Sequence, residues 1–128
     1  MMKPEKYLGI WMDHASAHLI ESENGHIETK TITSALNHQV KEQTLEKSEK
    51  EMHHKENHEQ LAFYKDIGKA MLNYEDVLLF GPTEAKTELL NLMRKDHHFD
   101  KIKIGVEPSD KMTANQELAF VRDYYLNQ

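Results

Sequence analysis

The sequence contains no cysteine. This absence excludes disulfide bonds, thiolate nucleophiles and zinc sites with cysteine ligands, and it suits a reducing compartment. No apolar run approaches the roughly 18 residues of a membrane span. The charged residues among the first six are not followed by an apolar stretch, so no signal peptide is expected. Together these absences predict a cytoplasmic protein without a membrane-bound segment.

An excess of positive charge is also lacking. The chain has 16 Lys and Arg against 22 Asp and Glu, which gives a net charge of −6 with His neutral. The surface as a whole therefore does not attract nucleic acid, and any RNA contact needs a local basic patch. The 128 residues are the usual size of one domain, and we predict a single domain over residues 1–128.

The first third of the chain has the pattern of three strands. An almost continuous apolar run, residues 7–12, is typical of a strand covered on both faces. Residues 17–21 read as a second strand. Asn24-Gly25 is a strong hairpin signal because both residues tolerate the positive φ of a type I′ turn. The third strand, residues 26–32, is polar enough to lie at an edge, and the three predict an antiparallel meander.

The second half alternates helices and strands. Phe63, Ile67, Ala70 and Tyr74 share one face of a predicted helix. A short buried strand, residues 77–80, leads into Gly81-Pro82-Thr83-Glu84, where the proline predicts a helix start. That helix is expected to end near residues 96–98. Ile102, Ile104 and Val106 alternate as a fifth strand. Thr113-Ala114-Asn115-Gln116 fits a capping box before a last helix, whose predicted buried face is Ala114, Leu118, Val121 and Tyr125.

The resulting order is βββαβαβα, an α/β fold with a mixed five-stranded sheet of predicted order 3-2-1-4-5. Strands 4 and 5 are expected to be parallel, since each is followed by a helix. This order resembles the ribonuclease H-like plan. Nucleases of that plan hold two metal ions between clustered carboxylates. Here Asp13 stands at the end of strand 1, but no carboxylate follows strand 4 until Glu84. One acid does not make a two-metal site, and Asp13 is better explained as a turn former.

A charged segment at about residues 35–60 interrupts the pattern. From Gln39 to Glu59 there are four Lys and six Glu with few apolar residues, so a solvated helix and a loop are both open. His54 and His58 are spaced i, i+4, as two zinc ligands on one helix face can be, and His53 or His38 could supply a third. The residues between them do not match a His-Glu-x-x-His motif. A solvated helix face is the alternative.

Catalytic signatures of other kinds are missing. No serine has the Gly-x-Ser-x-Gly context of a nucleophile elbow, and the five glycines are too scattered for a phosphate-binding loop. His97-His98 are interpreted as partners of a helix dipole. The sequence thus favours a non-enzymatic protein, and it implies no cofactor.

Several stretches carry a resemblance to a known family. Val77-Leu78-Leu79 followed by Phe80-Gly81-Pro82-Thr83-Glu84-Ala85-Lys86-Thr87-Glu88-Leu89 resembles the central domain of eukaryotic and archaeal class-1 peptide-chain release factors. Lys6-Tyr7, Asp13 and the hairpin at Asn24-Gly25 agree, as does the element order. Gly9-Ile10-Trp11-Met12-Asp13-His14 and Met112-Thr113-Ala114-Asn115-Gln116 resemble bacterial stand-alone relatives of that domain.

The resemblance implies where a functional loop should lie. In those release factors the stretch between strand 3 and the long helix carries a Gly-Gly-Gln tip that promotes hydrolysis of peptidyl-tRNA. Here the corresponding interval, Ala35 to Glu59, contains no glycine, so the hydrolytic role is not carried over. The resemblance leaves four candidate binding residues in that position: Gln39, Gln43, His53 and Lys55.

Three functions follow as hypotheses. The leading one is a translation-associated binding module that contacts the ribosome, tRNA or a translation factor. The second is a metal-binding protein or metal-dependent hydrolase that uses His53, His54 and His58. The third is a general protein-interaction domain whose polar segment folds on a partner. The polar third strand permits dimer formation by strand pairing, but the sequence does not fix an oligomeric state.

Overall fold

The computed structural model describes residues 6–34 and 49–127, with side chains from residue 58 onward in its first helix. The elements confirm the predicted order βββαβαβα, with one added 3-10 turn. They are β1 Lys6–Met12, β2 Ser16–Glu23, β3 His26–Thr33, α1 Glu49–Met71, β4 Asp76–Gly81, α2 Ala85–Met93, the 3-10 turn His97–Phe99, β5 Lys103–Pro108 and α3 Ala114–Leu126.

The five strands form one sheet of order β3-β2-β1-β4-β5, as predicted. β1, β2 and β3 pair antiparallel, and β4 pairs parallel with both β1 and β5. In this register Trp11 on β1 stands between His18 on β2 and Phe80 on β4. β1 is buried along its whole length after Lys6, which confirms that it is covered on both faces. The ribonuclease H-like label stays a prediction.

The hairpin between β2 and β3 forms at Asn24-Gly25. Their φ angles are 53° and 85°, the positive values that a two-residue type I′ turn requires. β3 is exposed at nearly every position, which confirms its place at the edge. The turn therefore helps to set the register of a strand that buries few of its own side chains.

Helices cover both faces of the sheet because alternate residues of β1 point to opposite sides. On one face α1 and α2 bury a large core that includes Leu8, Ile10, Met12, Leu19, Phe63, Ile67, Leu79 and Leu89. On the other face α3 covers a smaller core of Tyr7, Trp11, Ile20, Leu78, Phe80, Val121 and Tyr125. Each fully buried large apolar side chain contributes about 1.5–3 kcal/mol to folding.

Three predicted helix features were wrong. α1 ends at Met71, so Tyr74 lies beyond it. α2 begins at Ala85 and not at Pro82, since Pro82 and Thr83 form a bend and the Thr83 hydroxyl accepts a hydrogen bond from the Ala85 amide at 3.2 Å. It also ends at Met93, before the predicted end near residues 96–98.

The buried face of α3 was predicted in part. Val121 and Tyr125 are buried and Leu118 partly so, but Ala114, the first residue of α3, is exposed. The capping box is confirmed, with the Thr113 hydroxyl accepting from the Gln116 amide at 3.2 Å and the Gln116 side chain accepting from the Thr113 amide at 2.9 Å.

Within residues 6–34 and 49–127, no helix is both long enough and apolar enough to cross a bilayer.

Candidate functional site

The six residues predicted as a site fall into two groups. Gln39 and Gln43 lie outside the described residues. The other four fall within the bounds of α1: His53, His54, Lys55 and His58. Only His58 has a described side chain, and it is exposed. Among the described side chains no three His, Asp or Glu form a group that could hold a metal ion. The metal and binding roles of these residues therefore stay predictions.

α1 extends past the end of the sheet at which β1 finishes. Gln60 Nε2 donates to the main-chain oxygen of His14, directly after β1, at 3.2 Å. At the other end of β1, the Lys6 ammonium lies 4.9 Å from the ring centre of Tyr74, just beyond α1. The residues from Glu49 to Glu59 therefore continue the helix about 16 Å beyond Gln60, at about 1.5 Å per residue.

Four side chains meet at the base of this extension, and we call them the His14 cluster: His14, Gln60, Tyr64 and Glu88. The Tyr64 hydroxyl donates to one carboxylate oxygen of Glu88 at 2.6 Å. His14 Nε2 lies 3.2 Å from the other oxygen. The cluster thus joins the end of β1 to α1 and to α2.

The electrostatics of the His14 cluster follow from these bonds. Donation from Tyr64 is the main cause that lowers the pKa of Glu88, and His14 adds to it. Burial raises the pKa of Tyr64 well above its usual value, and the bond to Glu88 raises it further. Because both carboxylate oxygens are occupied and its pKa is lowered, Glu88 is a poor proton acceptor. The cluster is suited to hold α1 in place and not to acid–base catalysis.

An open groove of about 380 Å³ lies beside the His14 cluster, between α1 and α2. Its lining is Gln60, Leu61, Tyr64, Glu88, Asn91, Leu92 and Lys95. Leu61 is 39% exposed there. The lining combines polar and charged groups with two leucines, so the groove offers both hydrogen bonds and a small apolar contact.

Asp13 has the structural role that its sequence context suggests. One carboxylate oxygen accepts from the amides of Ala15 and Ser16, each at 2.8 Å, and so closes the turn between β1 and β2. In the place of a second nuclease carboxylate, β4 ends in Phe80-Gly81. The acid that a two-metal nuclease needs at the end of β4 is therefore missing, and one oxygen of the acid at the end of β1 is engaged in a turn.

On the opposite face of the sheet a second group of polar side chains reaches into the core, and we call it the His18 cluster: Trp11, His18 and Glu117. Glu117 is only 3% exposed. His18 Nδ1 lies 3.0 Å from both of its carboxylate oxygens. The His18 ring stacks on Trp11 with ring centres 5.0 Å apart. Among the described residues, Trp11 Nε1 is buried without a hydrogen-bond partner.

The residues of the two clusters were missed by the sequence analysis as site residues. Glu117 lies one and two helical turns before Val121 and Tyr125, within the apolar stripe of α3, and a charged residue in that position is a readable signal. The contacts of Tyr64 with Glu88 depend on how α1 and α2 pack. No local pattern predicts that pairing.

His97 and His98 do not act as partners of the α2 dipole, contrary to the sequence interpretation. They lie in the 3-10 turn after α2. His97 Nδ1 is 3.2 Å from an Asp100 carboxylate oxygen, and His98 Nδ1 is 2.6 Å from an Asp96 carboxylate oxygen. Both imidazoles are exposed, so these contacts are local and belong to the turn.

No protein-family model and no curated protein sequence matches the chain. Solved structures do: the fold is that of a domain found in Pelota and in an archaeal termination factor. Pelota from Thermoplasma acidophilum matches with a TM-score of 0.59 and 16% identity, over 91% of this chain and 32% of that one. A model of ribosome-bound archaeal Pelota and ABCE1 gives 0.60 and 16%, over 98% and 36%. The archaeal translation termination factor aRF1 gives 0.52 and 14%, over 95% and 40%.

At these identities the likeness establishes a shared fold. It confirms the resemblance to release factors at the level of the fold. The chain spans about a third of the length of the Pelota chains that it matches.

Proposed function

We propose that the chain is a translation-associated binding module that contacts the ribosome. The observation that carries this proposal is the match over 98% of the chain to Pelota in a ribosome-bound model. The match to a translation termination factor supports the same setting. A ribosome-binding protein works where ribosomes are, so the proposal includes a cytoplasmic location.

The end of the molecule where β1 finishes is the proposed contact surface. Ser34, after β3, is buried, and its amide donates to the main-chain oxygen of Ala15 at 2.8 Å. The connection from β3 to α1 therefore starts at the same end of the sheet that α1 passes at Gln60. The candidate residues Gln39, Gln43, His53 and Lys55 belong to this connection and to the start of α1. We treat the whole of residues 1–128 as one domain with this contact element at about residues 35–60.

Binding without peptidyl-tRNA hydrolysis is the form of the proposal that fits the residues. The interval from Ala35 to Glu59 has no glycine, so it cannot supply the backbone freedom of a Gly-Gly-Gln tip. The Glu88 carboxylate near this end is already held by Tyr64 and His14. The described residues at this end thus favour a contact role.

Co-sedimentation with purified ribosomes tests the proposal. We expect the wild-type chain in the ribosomal pellet at about 0.1 M salt, with less pelleted as salt rises. Lys47→Glu/Lys50→Glu should reduce the pelleted fraction at least about threefold, because two potential phosphate contacts are reversed in charge. A wild-type chain that stays in the supernatant at every salt concentration would contradict the proposal.

The matched control carries the same charge change at the far end of the molecule. Lys69→Glu/Lys101→Glu replaces two exposed lysines near the end of α1 and before β5. This variant should pellet like the wild type. Equal losses in both variants would mean that net charge alone governs binding, and would count against a defined contact surface.

Metal binding is the second candidate function. The observation in its favour is that α1 runs unbroken from Glu49 to Met71, which spaces His54 and His58 by one helical turn. Titration with Zn²⁺, followed by calorimetry, should show binding that His54→Ala/His58→Ala removes. The matched control His97→Ala/His98→Ala should bind like the wild type. Equal binding by all three proteins would contradict the assignment.

A further inference from the structure

The outer edge of β3 has the properties of a strand that pairs with another strand. β3 is eight residues long and stays in continuous register with β2, without a bulge or a proline. Within residues 6–34 and 49–127, the sheet order ends at β3, so no described strand pairs with its outer edge. Edge strands of this kind are usually shortened, bulged or covered, because they otherwise recruit further strands.

The hairpin register fixes which main-chain groups face outward. Glu23 and His26 flank the two-residue turn and form its closing hydrogen-bonded pair. Hydrogen-bonded positions alternate along an antiparallel pair, so Glu28, Lys30 and Ile32 direct their amides and carbonyls toward β2. Ile27, Thr29 and Thr31 direct theirs to the outer edge.

The two charged residues in the middle of β3, Glu28 and Lys30, differ in how they pair with Glu21 on β2. Glu28 stands directly opposite Glu21, a like-charged pair that destabilises a sheet. Lys30 compensates in part, since its ammonium lies 3.2 Å from a Glu21 carboxylate oxygen. Beside Glu28 lies the exposed imidazole of His26, whose Nε2 is 3.3 Å from a Glu28 carboxylate oxygen. A positively charged side chain beside Glu28 on the outer edge of β3 would offset its negative charge.

We propose that a second copy of this chain binds along β3, antiparallel, with Thr29 opposite Thr29 of the partner. In this register Glu28 stands opposite Lys30 of the partner, and Lys30 opposite its Glu28. The edge is therefore self-complementary in charge. Two-fold pairing repeats each contact, as in most homodimers.

The main-chain geometry agrees with the same register. Thr29 pairs with Thr29 of the partner, and Ile27 with its Thr31, and all of these residues have outward-facing amides and carbonyls. The charged pairs then occupy the non-hydrogen-bonded positions, where side chains come closest. Ile27, which is 49% exposed, gains contact with the methyl group of the partner's Thr31. A register shifted by one residue would place inward-facing groups against outward-facing ones.

Sedimentation velocity over about 1–500 µM protein tests the proposal, and we expect a monomer–dimer equilibrium in that range. Glu28→Lys and Lys30→Glu each place like charges opposite one another twice, so each should weaken dimerisation about tenfold or more. The double variant Glu28→Lys/Lys30→Glu restores opposite charges and should dimerise like the wild type. Circular dichroism checks that each variant is folded.

Mixing the two single variants gives the sharpest test. Glu28→Lys carries two lysines on this strand face and Lys30→Glu carries two glutamates, so a heterodimer has both charge pairs restored. We expect the mixture to dimerise while each variant alone stays monomeric. The control Lys101→Glu makes the same charge change away from β3 and should leave dimerisation unchanged.

Several results would overturn the inference. One is a wild-type chain that stays monomeric throughout the concentration range. Another is a Lys30→Glu variant that dimerises as well as the wild type. A mixture of folded single variants that fails to associate would also overturn this register.

Discussion

The Glu117 carboxylate lies in the α3 face that packs on β1, where an apolar side chain would otherwise be expected. Its close partner is the His18 imidazole, whose Nδ1 lies 3.0 Å from the carboxylate oxygens. A buried carboxylate is tolerated only when such partners replace its lost water. The imidazole also covers Trp11 by stacking. A single histidine on β2 thus makes the charged residue of α3 compatible with the core.

We therefore expect His18→Ala to destabilise the fold by about 1–3 kcal/mol, because it leaves a buried acceptor without its donor. His18→Ala/Glu117→Met should recover most of this loss, since the methionine has no carboxylate to satisfy. Urea unfolding followed by circular dichroism measures both. His97→Ala is the control: its imidazole also lies 3.2 Å from a carboxylate but is almost fully exposed, so the change in stability should be negligible. If His97→Ala lowered the free energy of unfolding as much as His18→Ala does, burial of the Glu117 carboxylate would not explain the loss.

The His14 cluster makes a prediction about pH. The Tyr64 hydroxyl lowers the pKa of Glu88 below its usual value of 4.5. A lowered folded-state pKa contributes stability above pH 4.5, and that contribution is lost as the pH falls through the folded value. Tyr64→Phe removes the bond, so it should cost about 1 kcal/mol or less at about pH 7, and the difference from wild type should shrink in acid.

Urea unfolding of both proteins at about pH 7 and at about pH 3 measures this difference. The same substitution in a Glu88→Gln background is the matched comparison, since the glutamine cannot titrate. There the effect of Tyr64→Phe should not change with pH. A pH-dependent difference that persists in the Glu88→Gln background would assign the effect to another group.

At the scale of the elements, α3 approaches β1 unusually closely. A Cβ added at Gly9 would overlap the Val121 side chain. Gly9→Ala should therefore destabilise the fold by about 1–3 kcal/mol through overpacking. Combined with Val121→Ala, which removes the overlapping methyl groups, the loss should be about 1 kcal/mol smaller than the sum of the two single losses. Chemical unfolding of the four proteins measures the coupling; strictly additive losses would contradict the close contact.

The sequence predicted the elements better than their ends. The sheet order followed from the turn at Asn24-Gly25 and from two strands that each precede a helix. The start of α2 was misplaced because Pro82 suits a helix start and a bend equally well. Ala114 was placed in the core because periodicity shows which face of a helix is apolar but not which of its turns is covered. These errors concern where a helix begins and which of its turns is buried.

The candidate site was less predictable for a related reason. Good helix propensity left a helix and a loop both open at His53, His54, Lys55 and His58, and the structure places all four within α1. The bonds among Tyr64, Glu88 and His14 join residues separated by 24 and 74 positions. Contacts at such separations arise from packing, which a local pattern does not encode.

At the scale of the whole molecule, the two proposed surfaces occupy different places on one sheet. The proposed ribosome contact lies at the end where β1 finishes and α1 extends outward, whereas the proposed dimer edge runs along β3. The antiparallel pairing about Thr29 relates two copies by a two-fold axis. Because α1 lies antiparallel to β1, this axis sends the two α1 extensions to opposite ends of the dimer. Neither extension is then covered by the other copy.

We therefore expect the two activities to separate by mutation. Lys30→Glu should be monomeric yet pellet with ribosomes like the wild type, because its changed residue lies on β3. Lys47→Glu/Lys50→Glu should lose ribosome binding yet keep the wild-type dimer, because its changed residues lie in the connection and the start of α1. Sedimentation velocity and ribosome co-sedimentation on the same preparations measure both. A folded Lys30→Glu variant that no longer pellets would place the ribosome contact on the β3 edge, and would contradict the separation of the two surfaces.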